Sequence, residues 1–330
     1  MNVKRLSYAG LVDFKIGHAT NEQALTGCTT VICPEGAVAG VDVRGGAPGT
    51  RETDLLQPTN TVEQVHAVFL AGGSAFGLEA GSGIMRFLEE KQIGMDTGAA
   101  KVPIVPGAIL FDLGVGDARI RPDQALGYQA ALNAWENSFE VSGGNVGAGT
   151  GATVGKLLGE DYLMKSGIGY AGLQVGEVQL AAVVAVNAIG DIFDPATHTQ
   201  IAGLYDREKK QLLNTNDCLT AQFEQDGTVA NRDNSGKNTT IGVVMTNAKL
   251  TKSQTNKIAQ LAHNGIARTI QPAHTAMDGD TLFAMSSSRV DAPVDLVGML
   301  ATRVVESAIV HAVKEADAVG NIPSYHSIGF

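Results

Sequence analysis

Residues 237–248 read KNTTIGVVMTNA, in which a polar pair leads directly into a strand-forming run, Thr239–Thr246. The residues before this run, Glu224–Asn238, form the most polar stretch of the chain and carry no periodic hydrophobic pattern, so they predict an exposed loop. A polar loop that enters a buried strand at a threonine meets the requirements of an N-terminal nucleophile. Many loops also enter strands through Asn-Thr, so the pattern alone fits an ordinary junction as well.

An N-terminal nucleophile forms when the hydroxyl of the first strand residue attacks the carbonyl of the residue before it. Hydrolysis of the resulting ester leaves a new α-amine beside that hydroxyl. The reference pKa of an α-amine is about 7.7–8.0, so an appreciable neutral fraction can act as a base at neutral pH. Thr239 is the candidate nucleophile under this hypothesis, whereas a register shift of one residue would turn Thr240 toward the site instead.

Apolar runs and helical patterns flank this segment on both sides. Glu177–Val186 alternates and then becomes continuously apolar, as a buried strand does. Two helical patterns follow the threonine strand, Lys252–Thr269 and the long amphipathic stretch Val294–Val319. This order predicts an α/β protein with a four-layer α/β/β/α sandwich, although order alone does not separate it from a doubly wound sheet. Nearer the N-terminus, the expected elements are strands at Thr29–Cys33, Ala37–Val43, Val65–Leu70, Val102–Val105 and Ala108–Leu110, a turn at Pro34-Glu35-Gly36, a polar loop at Arg44–Arg51, and helices from the N-cap Ser74 through Glu90 and over Asp123–Glu136.

Composition agrees with a layered fold. The 330 residues suit one large domain or two ordinary ones. Apolar residues make up 44% of the chain and aromatic residues only 5%, while glycine occurs 40 times. The core must therefore be built from Ala, Val, Ile and Leu, with tight turns between the elements.

The charge balance disfavours two classes of partner. The chain has 34 acidic and 24 basic residues, a net charge of −10, and no dense Lys/Arg cluster, so neither nucleic acid nor a membrane surface is an expected partner. Apolar stretches such as Leu180–Val186 are of strand length and fall short of the about 20 residues that span a bilayer. Asp13 and Lys15 break the apolar runs of the N-terminus, which is a poor signal peptide. We therefore expect a cytoplasmic protein whose Cys28, Cys33 and Cys218 are reduced thiols.

The Gly-rich segment 143–158, GGNVGAGTGATVGKLL, is similar in composition to phosphate-binding loops. The P-loop spacing fails because Thr150 stands where the first glycine belongs and Leu157 follows Lys156 where Ser or Thr is required. The dinucleotide fingerprint fails on spacing as well. Two interpretations remain, a close-packed structural loop and a loop that delivers Lys156 into a pocket.

The segment His274–Thr281 places Asp278 and Asp280 on either side of one glycine. Two such carboxylates can hold a cation, a metal or an ammonium group. The same residues also fit a turn in which Asp278 supports its own backbone. A calcium loop is disfavoured because no acidic ligand recurs at the later spacings. No zinc-protease or nucleophile-elbow motif occurs, and nothing local supports a Ser–His–Asp triad.

Several blocks, taken together, resemble one family. GNVGAGTGATVGK, VVAVNAIGD, NTTIGVVMTNAKLTK and DGDTLFA are similar to the self-processing aminopeptidases that include L-aminopeptidase/D-Ala-esterase (DmpA). The closer resemblance is to the branch with the 6-aminohexanoate-oligomer endohydrolases (NylC), which carries Asn before a Thr nucleophile. GGSAFGLEAGSGIMRFLEE and VPIVPGAILFDLG also fit, so the resemblance extends from about residue 6 to the C-terminus.

The resemblance implies an α/β/β/α sandwich of the DmpA/ornithine acetyltransferase type and hydrolysis of amide bonds in small peptides or amino-acid oligomers. It implies one catalytic domain over residues 1–330 that cleaves itself between Asn238 and Thr239 into chains 1–238 and 239–330. No cofactor or metal is implied, and the expected partners are a small amide or peptide substrate and further copies in a homotetramer.

The same resemblance assigns five catalytic positions. Thr239 is the nucleophile, and Lys156 lies near its hydroxyl and amine, where a cation lowers the pKa of the amine and stabilises negative charge. Asn187 donates to the oxyanion, a contact whose loss typically costs about 10²–10³ in rate. Asp278 and Asp280 match the acidic pair that orients the new ammonium group or its loop.

Two other function classes compete with amide hydrolysis. An acyltransferase of the ornithine acetyltransferase type passes the acyl group to an amine, but the Lys-Gly-rich and Ala-Thr-Met-Leu signature typical of that family is absent around Thr239. A non-catalytic binder could retain the fold, and the joint presence of Thr239, Lys156 and Asn187 disfavours it.

Overall fold

The computed structural model describes residues 4–6, 11, 13–136, 143–227 and 237–329. These residues form five α-helices and nineteen strands, several of only two residues. The helices are α1 (Ala80–Glu90), α2 (Gln124–Glu136), α3 (Thr215–Asp226), α4 (Lys252–Thr269) and α5 (Val294–Lys314). The strands are β1 (Lys4–Arg5), β2 (Lys15–Asn21), β3 (Thr26–Val43), β4 (Thr50–Arg51), β5 (Val65–Ala71), β6 (Met95–Asp96), β7 (Lys101–Val102), β8 (Gly107–Ile109), β9 (Thr153–Val154), β10 (Met164–Lys165), β11 (Ile168–Val175), β12 (Val178–Asn187), β13 (Asp191–Asp194), β14 (Thr199–Ala202), β15 (Tyr205–Asp206), β16 (Gln211–Leu212), β17 (Thr239–Ala248), β18 (Ile270–Gln271) and β19 (Thr281–Val290).

The long strand β3 belongs to two sheets. Its C-terminal half pairs with β19 and completes the order β1-β11-β12-β17-β19-β3, while its N-terminal half pairs with β2 and β5 in a second sheet that continues to β8 and β4. The pairing with β5 shifts register between Ile32 and Ala37. The predicted Pro34-Glu35-Gly36 turn is therefore an irregularity within one strand that changes sheets, and the two predicted strands are one element.

Three hydrophobic layers separate the elements. Side chains alternate along β12, so that Val184 packs in the core below α4 and α5 while Val183 packs in the core between the two sheets. A third core lies between the second sheet and helices α1 and α2, around Phe69 and Phe87. The layers are thus helix, sheet, sheet and helix, which confirms the predicted α/β/β/α sandwich.

Predicted helix bounds hold best where a cap is encoded. Helix α4 matches the prediction residue for residue, and Thr251 caps it in a reciprocal pair with Gln254. Helix α5 ends at Lys314, five residues before Val319, because the chain turns there and Val319 pairs with Ile322.

Three other local predictions are wrong. Ser74 is no N-cap; it has a positive φ of 54° and begins a 3₁₀ turn, Ser74–Glu79, that precedes α1. Of the predicted strand Val102–Val105 only Val102 lies in a strand, at the end of β7, since Pro103 lacks an amide hydrogen for a ladder. The predicted loop Glu224–Asn238 begins too early, because Glu224–Asp226 are the last turn of α3; residues 228–236 lie outside the described residues.

Helix α5 has the length and apolar composition of a membrane span, contrary to the expectation that no segment reaches them. In the fold, 61% of its most apolar window is buried, and it packs on α4, β11 and β12. It is therefore the core helix that supports the sheet carrying β12 and β17.

The three cysteines are unpaired. Cys28 and Cys33 are buried in two different hydrophobic cores, and burial raises the pKa of each thiol to about 12. The predicted burial of these thiols as small hydrophobic residues is confirmed for Cys28 and Cys33, whereas Cys218 is only half-buried.

Candidate active site

Thr239 and Asn187 meet at the ends of two neighbouring strands. Thr239 begins β17, Asn187 ends β12, and the two are directly paired in the antiparallel register. Paired residues present their side chains on one face of a sheet, which here is the face of Val183 and Ile241 between the two sheets. Thr240 therefore faces the helix layer, and the register places Thr239 on the face of Asn187.

The Gly-rich segment delivers Lys156 to the same place. Its ammonium donates to the carbonyl oxygens of Asn187 and Lys237, each at 2.9 Å. The turn before it is tight, because Gly155 has a φ of +72° and a Cβ there would lie 2.1 Å from the backbone of Gly203. Close packing and delivery of Lys156 are thus both properties of this loop.

The side-chain amide of Asn187 is held at both ends. Its Oδ1 accepts from the backbone N–H of Thr153 at 3.1 Å. Its Nδ2 donates to the carbonyl oxygens of Phe111 at 3.0 Å and Lys237 at 3.1 Å. Asn187 and Lys156 therefore converge as donors on one carbonyl oxygen, that of Lys237, one residue before the predicted cleavage bond.

The peptide bond between Asn238 and Thr239 has its own contacts. The carbonyl oxygen of Asn238 accepts from the backbone N–H of Gly279 at 2.8 Å and from the hydroxyl of Thr239. The backbones of Asn238 and Asp278 also form an isolated parallel β-bridge. A backbone N–H therefore stands at the carbonyl that Thr239 would attack, a donor that sequence reasoning did not identify because backbone groups leave no residue signature.

The two predicted carboxylates support the loop and the strand start. Asp278 accepts from the backbone N–H of Thr275 at 2.9 Å and from its hydroxyl at 2.6 Å. Asp280 accepts from the backbone N–H of Thr240 at 2.6 Å and from Nδ1 of His274 at 2.8 Å. Asp278 thus supports its own turn, as the structural interpretation predicted, and both carboxylates also border the Asn238–Thr239 junction.

Burial changes the protonation of this cluster. Thr239, Lys156, Asn187, Asp278 and Asp280 are each between 0% and 8% exposed. Burial lowers the pKa of Lys156 to about 7, opposed by the nearby carboxylates of Asp278 and Asp112. Burial, followed by repulsion from Asp280, raises the pKa of Asp278 to about 6. The site therefore holds an amine and a carboxyl group that both titrate close to neutral pH.

Asp112 is a site residue that sequence reasoning missed. Its carboxylate accepts from the Thr26 hydroxyl and the Gly73 N–H, each at 2.7 Å, and burial raises its pKa. The neighbouring carbonyl of Phe111 holds Asn187. The only available signal was the block VPIVPGAILFDLG, within which Asp112 is the only charged residue.

A cavity of about 200 Å³ opens beside Lys156 and Lys237. Its walls are mostly apolar, and the segments that follow β8 and Lys156 supply most of them. A small molecule in this cavity would lie next to the carbonyl that Lys156 and Asn187 hold. The lining residues are Phe111, Leu113, Gly114, Val115, Thr153, Lys156, Gly159, Glu160, Leu163 and Lys237.

Gly279 has almost no room for a side chain. A Cβ there would lie 2.8 Å from Thr239 Oγ1 and 2.9 Å from the carbonyl oxygen of Ala47. We expect Gly279→Ala to push the hydroxyl and the Gly279 N–H out of alignment with Asn238, slowing cleavage of the Asn238–Thr239 bond by about tenfold or more. Time-resolved gel electrophoresis of freshly purified protein measures this rate, with thermal melting as the check on folding. Cleavage at the wild-type rate in a folded variant would contradict the role of this N–H.

Comparisons with known proteins place the chain in a family. The model of peptidase family S58 matches residues 11–324. An uncharacterised aminopeptidase of Mycobacterium leprae is 42% identical over 321 residues, which are 91% of this chain and 85% of that protein. A 6-aminohexanoate-oligomer endohydrolase of Agromyces sp. is 36% identical over 279 residues, which are 84% of this chain and 74% of that protein.

Solved structures show the same fold. The L-aminopeptidase D-Ala-esterase/amidase of Ochrobactrum anthropi, described as a variant of the Ntn hydrolase fold, matches 94% of this chain and 86% of its own, with a TM-score of 0.64 and 19% identity. A β-aminopeptidase of Burkholderia sp. matches 98% of this chain and 92% of its own, with a TM-score of 0.65 and 17% identity. The resemblance noted in the sequence is confirmed, and the chain belongs to peptidase family S58, as an enzyme that hydrolyses amide bonds.

Proposed function

We propose that the chain cleaves itself between Asn238 and Thr239 and that the freed Thr239 is the nucleophile for amide hydrolysis. One observation carries this proposal: the Thr239 hydroxyl contacts the Asn238 carbonyl oxygen, to which the Gly279 N–H also donates. A nucleophile and an oxyanion donor thus stand at one peptide bond, at the start of a rigid strand.

Self-cleavage proceeds in two steps under this proposal. Thr239 Oγ1 attacks the Asn238 carbonyl carbon, its proton is transferred to the leaving nitrogen, and the C–N bond breaks to leave an ester and a new α-amine. The Gly279 N–H stabilises the oxyanion that forms on the Asn238 oxygen. Water then hydrolyses the ester, which gives chains 1–238 and 239–330 and restores the hydroxyl.

Substrate hydrolysis reuses the same groups. The neutral α-amine of Thr239 accepts the hydroxyl proton as Oγ1 attacks the substrate carbonyl. Lys156 and Asn187 already converge on the carbonyl oxygen of Lys237, so departure of that residue leaves both as donors for the substrate oxyanion. The amine leaves, and water hydrolyses the acyl–Thr239 ester to release the acid.

Substrate class follows from the relatives and from the cavity. Relatives bear the names aminopeptidase and 6-aminohexanoate-oligomer endohydrolase. A cavity of about 200 Å³ is smaller than the roughly 300–1,000 Å³ that hold drug-sized ligands, which suits one short acyl unit. We propose small peptides or amino-acid oligomers as substrates, and a cytoplasmic homotetramer of cleaved protomers as the assembly.

Intact-mass spectrometry combined with a substrate panel tests this function. We expect two masses, for residues 1–238 and 239–330, and release of free acid from at least one α-, β- or ω-amino acyl p-nitroanilide. Acylated ornithine as the product in place of free acid would indicate an acyltransferase. A full-length chain that hydrolyses these amides would contradict the role of self-cleavage.

A further inference from the structure

The cavity beside Lys156 has an acidic residue at its rim, and none of the roles described above involves it. The apolar walls come from Phe111, Leu113, Val115 and Leu163. Among the described residues that line the cavity, Glu160 is the only one with a carboxylate. An apolar wall with a single acidic group matches an acyl chain that ends in a cation.

Glu160 is fixed in the backbone turn that begins at Lys156. The Gly159 N–H donates to the Lys156 carbonyl at 3.2 Å, and Arg207 Nη2 donates to the Glu160 carbonyl at 3.1 Å. Gly159 has a φ of +93°, a conformation that favours glycine. The position of Glu160 is thus set relative to the cation of the active site, four residues away.

The Glu160 side chain extends toward the opposite wall. A Cβ built on Gly114 would lie 4.0 Å from Glu160 Oε1, so the carboxylate approaches the wall that follows β8. Within the described part of the chain, this carboxylate has no ion-pair partner, and its side chain remains exposed. A ligand cation can therefore reach it without displacing a protein group.

We propose that Glu160 is a specificity residue that binds the ammonium group of the acyl part of the substrate. This assignment rests on the proposed function. The substrates it selects carry an amine that a short apolar chain separates from the scissile carbonyl; the apolar chain lies along Phe111 and Leu113, and the carbonyl lies at Lys156 and Asn187. An acyl group without the amine fits the same cavity but does not form the ion pair with Glu160.

Three anilide substrates distinguish recognition of the terminal charge by Glu160 from a general loss of activity. The substrates are the p-nitroanilides of 6-aminohexanoic acid, hexanoic acid and adipic acid (as the monoanilide), which differ only in the terminal group. For Glu160→Gln, we expect kcat/KM to fall about tenfold on the amino substrate, the size of one charge-assisted hydrogen bond, mainly through KM. The hexanoyl substrate should change less than twofold, and Glu160→Lys should raise kcat/KM on the adipoyl substrate.

Asp161→Asn is the matched control, because Asp161 lies in the same turn and is exposed but does not line the cavity. It should leave all three substrates unchanged. Equal losses on the amino and hexanoyl substrates, or no loss on either, would overturn the assignment of Glu160 while self-cleavage and hydrolysis stand. A wild-type chain that neither cleaves at Asn238 nor hydrolyses any of the anilides would overturn the proposed function and this assignment together.

Discussion

Thr239→Ala should remain a single chain of 330 residues and lose amide hydrolysis by about 10⁴-fold or more, the scale on which loss of a nucleophile acts. The variant keeps the strand start but has no oxygen to attack the Asn238 carbonyl, so neither the ester nor the new amine forms. Intact mass and anilide hydrolysis measure the two losses. Thr239→Ser keeps a hydroxyl and should still be cleaved.

The next residue provides a matched control for Thr239→Ala. The Thr240 hydroxyl is buried on the opposite face of β17 and has no hydrogen-bond partner within the described residues. Thr240→Val keeps the shape of the side chain and should cleave and hydrolyse like the wild type. Normal cleavage of Thr239→Ala, or loss of cleavage in Thr240→Val, would show that Thr239 is not the nucleophile.

The layered α/β arrangement could be predicted from the sequence because each layer leaves a local pattern, whereas the choice of an α/β/β/α sandwich over a doubly wound sheet rested on the family resemblance. Continuous apolar runs such as Leu180–Val186 indicate strands buried on both faces, and the cap at Thr251 fixes the start of α4. The dual role of β3 could not be predicted, because Pro34-Glu35-Gly36 is locally a turn signal and only pairing with β19 and β5 makes the strand continuous. Tertiary pairing overrides local propensity there.

The candidate site also contains residues that could be predicted from the sequence and groups that could not. Thr239 could be proposed from its position at a loop-to-strand junction, whereas Lys156 and Asn187 were assigned by family resemblance, since they lie 83 and 52 positions earlier in the chain. Their convergence depends on strand register and on the turn at Gly155. The N–H of Gly279 and the carbonyl of Phe111 are backbone groups, which any residue supplies, so no sequence pattern could indicate them.

The pH dependence of the free energy of unfolding should also reflect the burial of Lys156. Its pKa falls from 10.5 to about 7 on folding because of burial. Between these values the unfolded chain binds more protons than the folded one, so stability rises as the pH increases from about 7 to about 10.5. Lys165, also buried and with a pKa lowered to about 7, contributes in the same direction. Lys156→Met should therefore reduce this rise without removing it.

The same titration should govern catalysis through the charge of Lys156. Because the ammonium donates to the Lys237 carbonyl and is proposed to stabilise the substrate oxyanion, hydrolysis by the wild type should lose this contribution as the pH rises through about 7. The neutral fraction of the Thr239 α-amine, the proposed base, increases over the same range, so the hydrolysis rate should pass through a maximum near neutral pH. Lys156→Met should slow hydrolysis by about 10²–10³, the cost of one lost oxyanion donor, and should lack the decline on the alkaline side of the maximum. The hydrolysis rate measured between pH 5.5 and pH 8.5, about one and a half units to either side of the Lys156 pKa, tests the effect. A Lys156→Met variant that keeps the wild-type decline on the alkaline side would show that another group titrates, and Asp278, whose pKa is raised to about 6, would then be the group to replace next.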